Sequence, residues 1–142
     1  MSAGLKLKLV AATPELERLI AAAILTTSSG SKPSAIFHRL SGTPERVERL
    51  VDRIEVHHGS ILDHNRLCWI VEATESEVLD IYLRHRFFSF TRLEDSTWLM
   101  SANLRTAVSY SRQHHDAFGE ALIKSLADVT PKICGKICGE SR

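Results

Sequence analysis

The sequence is short of several features that would assign it to a special class of protein. Its 142 residues carry a net charge of only +1, although 25% of them are charged. This balance argues against a broad basic surface for nucleic acid, so recognition of an anion has to come from a local cluster. No apolar run reaches the roughly 20 residues of a membrane-spanning helix, and the beginning of the sequence lacks the pattern of a secretion signal. We therefore expect a cytoplasmic protein with no nucleic-acid partner and no membrane partner.

Cysteine is scarce as well. Three cysteines, an odd number, suit a reducing compartment better than a disulfide scaffold. Cys134 and Cys138 stand four residues apart in "PKICGKICGE", which is not the CxxC spacing of redox motifs, and the neighbouring glycines weaken a helix. We predict that residues 130–142 form a frayed C-terminal tail without a redox or metal role.

A cluster of polar residues, "HHGSILDH", covers residues 57–64. Imidazole and carboxylate groups are ligands for zinc or iron, but the spacing of the three histidines and one aspartate matches no standard metal motif. Ser60 follows a glycine at a turn, where a hydroxyl and backbone N–H groups suit an anion. A locally hydrogen-bonded turn is the alternative, and no metal site is predicted.

The pattern of apolar residues predicts strands and helices in one domain over residues 1–142. "LKLKLVAA" alternates lysine with leucine, which is the period of a half-buried strand, and "RLCWIVEAT" is typical of another strand. The Thr-Pro-Glu sequences at 13–15 and 43–45 are typical helix starts. Because the strands and helices show no βαβ rhythm, the pattern favours the α+β class.

The second half of the chain continues this mixture. Thr74 and Glu77 form a capping box, which predicts a helix running to Arg84. The short run "FFSF" is typical of a strand. From Met100 to about Ala127 the pattern is mostly helical, in two pieces.

The predicted helix ends in the triplet Arg84, His85 and Arg86. Guanidinium groups bind phosphate with two hydrogen bonds, so paired arginines at the end of an element indicate a phosphorylated ligand. Cations at a helix C-terminus also complement the helix dipole without binding anything. The triplet alone leaves both interpretations open and favours the second.

A polar face is expected on the next helix. Arg105, Ser109 and Arg112 follow Asn103 and fall at i, i+4 and i+7, so they share one side of a helix. Such a face either is solvated or lines a polar cleft. In isolation the spacing does not decide between the two.

Taken together and in order, these segments resemble the flavin-dependent thymidylate synthases, the ThyX family, over about residues 5–120. The resemblance rests on "TTSSGS", on "HGSILDH" as H-x-S-x-x-acid-H, on "RHRFFSFTRLEDS" as the RHR signature, and on "NLRTAVSYSR" as the N-x-R helix. It implies a mixed α/β domain with a small antiparallel sheet flanked by helices. It also implies a homotetramer with active sites at subunit boundaries.

The resemblance further implies an enzyme that methylates C5 of a uracil nucleotide, dUMP or UMP. Methylenetetrahydrofolate would supply the carbon and NADPH the reducing equivalents, which pass through FAD. The flavin supplies hydride chemistry that side chains lack, so the protein provides binding and electrostatics.

Site residues are carried over motif by motif. The residues expected to hold FAD are Ser60, Arg84, His85, Arg86, Asn103, Arg105 and Ser109. Those expected at the nucleotide are Arg84, Glu94, Asp95, Ser96 and Arg112. Of these, Ser96 and Arg112 would be catalytic, with Arg112 matching the arginine that polarises the uracil ring.

The sequence also departs from the family pattern. Ile81 stands where the family usually has a glutamine, and Trp98 stands where it has an arginine that binds the nucleotide phosphate. These departures motivate a second hypothesis, a flavin- or nucleotide-binding relative that has lost thymidylate synthesis. A third hypothesis is an oligomeric interaction domain whose arginines only form salt bridges.

Overall fold

A computed structural model describes residues 4–54 and 59–140 of the chain. His57 and His58, two members of the histidine cluster, lie outside these described residues. The four described strands form one antiparallel sheet in the order β1-β2-β4-β3. Their bounds are Lys6–Ala12 for β1, Leu67–Glu72 for β2, Ser89–Glu94 for β3 and Thr97–Ala102 for β4.

Helices and one 3₁₀ segment surround this sheet. The helices are Leu16–Thr26 (α1), Pro33–Leu40 (α2), Pro44–Asp52 (α3), Glu75–Arg84 (α4), Leu104–Gln113 (α5), Ala117–Leu126 (α6) and Pro131–Glu140 (α7), and the 3₁₀ segment is Gly59–Asp63. The prediction of an α+β domain with a small antiparallel sheet flanked by helices is confirmed. None of the described helices is long and apolar enough to cross a membrane.

The sheet has one buried face because apolar residues alternate along its strands. Trp69 lies opposite Met100, and Val71 lies opposite Trp98, and all four side chains belong to the core. Helix α6 covers this face, where the Trp69 Nε1 group donates a hydrogen bond to Ser125 Oγ at 2.9 Å. Burying a large apolar side chain contributes about 1.5–3 kcal/mol, so this face is a principal source of stability.

The remaining helices pack around that layer. Helix α1 contacts α2, α3 and the 3₁₀ segment, while α6 contacts α5, α7 and strand β1. Apolar residues at helical spacing face inward, for example Leu16 and Ile20 on α1 and Leu122 and Leu126 on α6. This packing holds α5 and the 3₁₀ segment side by side, which matters for the site described below.

The predicted frayed tail is wrong for residues 131–140, which form helix α7. Ile133 and Ile137 recur at i and i+4 and are buried together with Cys134. Helix α7 packs on α3 and α6, so burial of this apolar side outweighs the low helix propensity of its glycines. Residues 141–142 lie outside the described residues.

Two predicted boundaries also differ from the structure. Met100 is not the start of a helix, because it pairs with Trp69 inside the sheet, and the helix begins only at Leu104. The first helix begins at Leu16, after Glu15, whose φ of 54° lies in the left-handed region. In both cases the predicted element exists and its first residue is displaced.

The capping box of α4 is confirmed. The Glu77 N–H donates to Thr74 Oγ1 at 3.2 Å, and the Thr74 N–H donates to Glu77 Oε2 at 2.8 Å. The helix ends at Arg84, and His85 follows in an extended conformation while its N–H still donates to Ile81 O at 2.9 Å. The arginine-histidine-arginine triplet at the end of α4 therefore lies beside α5.

Candidate functional site

A cleft of about 580 Å³ opens where the end of α4, the start of α5 and the 3₁₀ segment meet. We call it the α4–α5 cleft. Its lining residues are Asp63, Arg66, His85, Phe87, Asn103, Arg105, Thr106 and Ser109. Four of the seven side chains expected to hold FAD are therefore brought together in one chain, although they come from segments about 20 residues apart in sequence.

The start of α5 is fixed by side-chain hydrogen bonds. Asn103 caps the helix, since its Oδ1 accepts from the Thr106 N–H at 2.9 Å. The Leu104 N–H donates to Asn65 Oδ1 at 2.6 Å, and Asn65 Nδ2 donates in turn to Leu62 O at 2.8 Å. The bonds donated by the Thr106 and Leu104 N–H groups satisfy donors that the first turn of a helix leaves without partners. They also hold α5 against the loop around the 3₁₀ segment.

Arg105 lies in the first turn of α5 and pairs with Asp63. One guanidinium nitrogen, Nη1, lies 3.1 Å from Asp63 Oδ2 and 3.4 Å from Oδ1. The Arg105 side chain is 54% exposed and that of Asp63 is 36% exposed. Exposed ion pairs contribute at most about 1 kcal/mol, so an anionic ligand can compete with this carboxylate.

Arg66 is a cleft residue that the sequence analysis missed. It comes directly before β2, and its Nη2 group donates to Ser101 Oγ at 3.2 Å. With Arg105 it gives the cleft two guanidinium groups against the single carboxylate of Asp63. The motif spacing offered no signal for Arg66, because it lies outside the segments that carry the resemblance.

His85 contributes an unsatisfied polar atom. Its Nδ1 is buried and has no hydrogen-bond partner among the described residues. The ring packs edge-on against Phe87 and Phe88, with ring centres 5.6 Å and 5.7 Å apart. Burial, followed by the charge of His114, lowers the pKa of His85. A buried nitrogen without a partner indicates that a further hydrogen-bonding group belongs at this place.

Arg84 and Arg86 flank the cleft but are not part of its described lining. Arg84 pairs with Asp80 Oδ2 at 3.2 Å and with Asp116 Oδ2 at 3.0 Å. Hydrogen bonding with the Tyr110 hydroxyl, and then the charge of Asp80, raises the pKa of Arg84. Arg86 is exposed, and its guanidinium lies 5.2 Å from the centre of the Phe87 ring at the cleft wall.

Ser60 lies on the other side of the 3₁₀ segment from the cleft. It lines a separate cavity of about 670 Å³ between α1 and α2, whose walls are mostly apolar and include Ala23 and Phe37. Ser60 and Asp63 therefore serve two different cavities that share the 3₁₀ segment as a wall. Within one chain, the structure does not bring Ser60 together with His85.

The residues expected at the nucleotide are also separated from the cleft. Glu94 lies at the end of β3, and Asp95 and Ser96 form the turn to β4. Ser96 O accepts from the Ala73 N–H at 2.9 Å, which places this turn beside the start of α4. The cleft lies at the other end of that helix, and ten helical residues span about 15 Å.

Arg112, the other predicted catalytic residue, is half-buried in the last turn of α5. It follows Ser109 along the helix, beyond the described lining of the cleft. The common helix face predicted for Arg105, Ser109 and Arg112 is thus only partly used by the cleft.

The two departures from the family pattern are core residues. Ile81 is buried on α4. Trp98 is buried in β4, and its Nε1 group donates to Ala73 O at 3.1 Å. Both side chains are packed in the core, so neither position offers a polar group to a ligand.

Comparison with known proteins identifies the fold. No protein-family model matches the chain, and no curated protein matches it in sequence. Among solved structures, the chain is similar to the UMP/dUMP methylase PolB from Streptomyces cacaoi bound with 5-Br dUMP, with a TM-score of 0.67 at 12% identity over 96% of this chain and 95% of that chain.

Two structures of the flavin-dependent thymidylate synthase ThyX from Helicobacter pylori, both with FAD and dUMP, are similar as well. The first has a TM-score of 0.66 at 11% identity over 93% of this chain and 99% of that chain. The second has a TM-score of 0.62 at 13% identity over 94% and 99%. At such low identity the likeness establishes a shared ThyX-like fold.

Proposed function

We propose that this chain is a ThyX-like flavoenzyme that binds FAD and methylates C5 of a uracil nucleotide, either dUMP or UMP. The observation that carries the proposal is the α4–α5 cleft, which gathers four side chains that the resemblance assigns to flavin. The fold gives support, because the similar solved structures are named for this chemistry and two of them hold FAD and dUMP. Methylenetetrahydrofolate is the proposed carbon donor and NADPH the proposed reductant.

The chemistry of the cleft fits a flavin nucleotide. Arg66 and Arg105 supply guanidinium groups that suit a diphosphate. The unpartnered Nδ1 of His85 and the hydroxyl of Ser109 supply hydrogen-bonding groups for the polar parts of the molecule. FAD bound there supplies hydride chemistry that no side chain provides, so the residues of the chain bind it and set its electrostatic surroundings.

The seven flavin assignments differ in their position relative to the cleft. Asn103 belongs to the cleft through the start of α5, while Arg84 and Arg86 approach it from the end of α4. Ser60 belongs to the cavity across the 3₁₀ segment. A flavin nucleotide is long enough to contact more than one of these places, and Ser60 of a second chain is an equivalent source.

The nucleotide part of the proposal rests on the β3–β4 turn and on α5. Glu94, Asp95 and Ser96 hold the nucleotide, and Arg112 stabilises the negative charge that develops on the uracil ring when hydride attacks C6. About 15 Å of helix separates the turn from the cleft of the same chain, and we propose that the turn of one chain lies beside the cleft of another. We therefore propose a homo-oligomer, a tetramer, with active sites at subunit boundaries.

The exposed side of α4 supports an oligomer. On α4, Leu79 and Tyr82 are about half exposed and Leu83 is 75% exposed, and Phe87, three residues after the helix, is exposed as well. A large exposed patch of this kind is typical of a protein–protein contact.

The proposal is tested by supplying the purified protein with FAD, NADPH, methylenetetrahydrofolate and either dUMP or UMP labelled with tritium at C5. Methylation replaces the C5 hydrogen, so tritium is released into water. We expect release with one of the two nucleotides and none when FAD is left out. Absence of release with both nucleotides, from a protein that has bound FAD, contradicts the proposed reaction.

A second candidate is a flavin- or nucleotide-binding relative without thymidylate synthesis. It is favoured by Ile81 and Trp98, which occupy positions that the family gives to polar residues and which are both buried here. This candidate expects FAD binding without tritium release. A protein that binds no FAD and is not stabilised by it against heat supports instead an interaction domain with salt-bridged arginines.

A further inference from the structure

Asp116, a residue that the proposed function does not use, lies at the centre of a hydrogen-bonded group. Its Oδ2 atom accepts from the Tyr110 hydroxyl at 2.6 Å and from Arg84 Nη1 at 3.0 Å. Its Oδ1 atom accepts from the Gly119 N–H at 2.8 Å, which caps α6. We call Asp116, Arg84 and Tyr110 the Asp116 group. It joins the end of α4, the middle of α5 and the start of α6.

The Asp116 group surrounds the backbone that presents His85 to the cleft. Arg84 is the residue directly before His85, and Tyr110 packs beside the His85 ring with ring centres 6.4 Å apart. Tyr110 also contacts Phe88, which follows shortly after His85, at 5.8 Å. One carboxylate therefore holds both a neighbour of His85 in sequence and a neighbour of its ring in space.

The geometry distinguishes Asp116 from the other carboxylate on Arg84. Asp80 lies four residues earlier on the same helix, so its ion pair with Arg84 connects α4 only to itself. Asp116 lies 32 residues after Arg84, at the start of another helix, and its side chain is 32% exposed against 61% for Asp80. Of these two ion pairs of Arg84, the one with Asp116 connects the end of α4 to the start of α6, next to Tyr110 of α5.

The electrostatics of the group agree with this arrangement. Burial acts to raise the pKa of Asp116, but the hydrogen bonds from Tyr110 and Gly119 and the charges of Arg84 and His114 outweigh it, so that the pKa is lowered. The carboxylate is therefore ionised at neutral pH and able to make charge-assisted hydrogen bonds to Tyr110 and Arg84.

We propose that Asp116 is a positioning residue of the α4–α5 cleft, which sets the direction in which His85 enters the cleft by holding Arg84 and Tyr110. For FAD binding this inference rests on the proposed function, whereas the placement of the His85 ring is a property of the protein alone. Asp116 itself is not a catalytic residue, since it acts through the two side chains that it binds.

The first test is the variant Asp116→Asn with Asp80→Asn as its matched control. Asparagine is a good helix cap, so Asp116→Asn keeps an acceptor for the Gly119 N–H and loses the charge that holds Arg84. We expect Asp116→Asn to bind FAD about tenfold more weakly than the wild type, which is the scale of losing a contact that supports a ligand-binding residue. We expect the affinity of Asp80→Asn to stay within about twofold of the wild type. Equal weakening in both variants contradicts the inference.

The second test needs no ligand. Nuclear Overhauser contacts between the ring protons of His85 and those of Tyr110 report the placement of the imidazole. We expect these contacts to weaken in Asp116→Asn and to persist in Asp80→Asn.

The two tests separate the two claims. If the wild type binds no FAD, the proposed function fails, while the ring contacts still decide whether Asp116 positions His85. Unchanged ring contacts in Asp116→Asn overturn the inference. If the wild type binds FAD, a wild-type FAD affinity in Asp116→Asn overturns it as well. A variant that merely unfolds is recognised by its thermal melting curve. Tyr110→Phe, which keeps the ring and the α6 cap, then replaces it: weaker FAD binding than in the wild type supports the inference, and an unchanged affinity contradicts it.

Discussion

Ionisation of Tyr110 is a sensitive measure of the contacts at the end of α4. The sequence has two tyrosines, so the variant Tyr82→Phe leaves Tyr110 as the only phenol that titrates. Tyr110 is 1% exposed. Burial, followed by the hydrogen bond with Asp116, raises its pKa from 10.0 to about 12. Raising the pH of the Tyr82→Phe variant therefore ionises the Tyr110 phenol, which is one member of the Asp116 group.

The magnitude follows from the shift of about two units. One pKa unit corresponds to about 1.4 kcal/mol, so Tyr110 contributes about 2–3 kcal/mol to the free energy of unfolding through this linkage. The sign follows from a folded-state pKa that lies above the unfolded one. The contribution is complete below about pH 10 and is lost as the pH rises towards 12.

Two assays check this prediction. The phenolate absorbance of the folded Tyr82→Phe variant is expected to rise with a midpoint near pH 12, and its urea unfolding free energy is expected to fall between pH 10 and pH 12. The matched control is the double variant Tyr82→Phe with Tyr110→Phe, which lacks the phenol and so lacks this part of the pH dependence. A phenolate midpoint near 10 in the folded protein would refute the described burial and hydrogen bond.

Three further predictions test other parts of the structure. Leu83→Glu places a charge in the exposed patch on α4 and is expected to lower the mass measured by light scattering to that of a smaller species; a monomeric wild type contradicts the proposed oligomer. Iodoacetamide at pH 8 is expected to modify the exposed Cys138 and to leave Cys134 unmodified, because burial, then Cys138 and Glu17, raise the pKa of Cys134 to about 12; equal labelling in a peptide map counts against this. Thr74→Ala removes the capping box and is expected to lower the unfolding free energy by about 1 kcal/mol, measured in urea, and an unchanged value contradicts the cap.

Local signals in the sequence were sufficient where the structure is determined by neighbouring residues. Thr74 and Glu77 fixed the start of α4, because a capping box consists of bonds within four residues. The alternation of "LKLKLVAA" and the apolar run before Glu72 located two strands of the sheet. Arg105 and Ser109 share the cleft because helical spacing places them one turn apart.

Contacts between distant parts of the chain account for what the sequence did not reveal. The glycines of α7 suggested a frayed end, but Ile133 and Ile137 gain a buried position only once α3 and α6 are present. Likewise, nothing near Arg84 in sequence indicates that Asp116 neutralises part of its charge. Arg66 lines the cleft because β2, which begins at the next residue, pairs with β4. The spacing of motifs along the chain gives no information about this pairing.

The predicted site residues fall into groups for a similar reason. His85 and Asn103 come from element ends that meet in one chain, whereas Ser60 and the β3–β4 turn belong to other faces of the same chain. Sequence order reports which motifs are present but not whether one chain or several assemble them. The division of the residues between faces is the main argument for an active site at subunit boundaries.

The central claim is that the α4–α5 cleft binds FAD, and an equilibrium titration followed by the absorbance of the bound flavin tests it most directly. We predict binding at one FAD per chain, and binding on the order of tenfold weaker in Arg105→Ala, which removes a cleft guanidinium. The matched control is Arg46→Ala, an exposed arginine on α3, with wild-type affinity expected. A wild-type protein that takes up no FAD, or an Arg105→Ala variant that binds FAD as tightly as the wild type, would contradict the account.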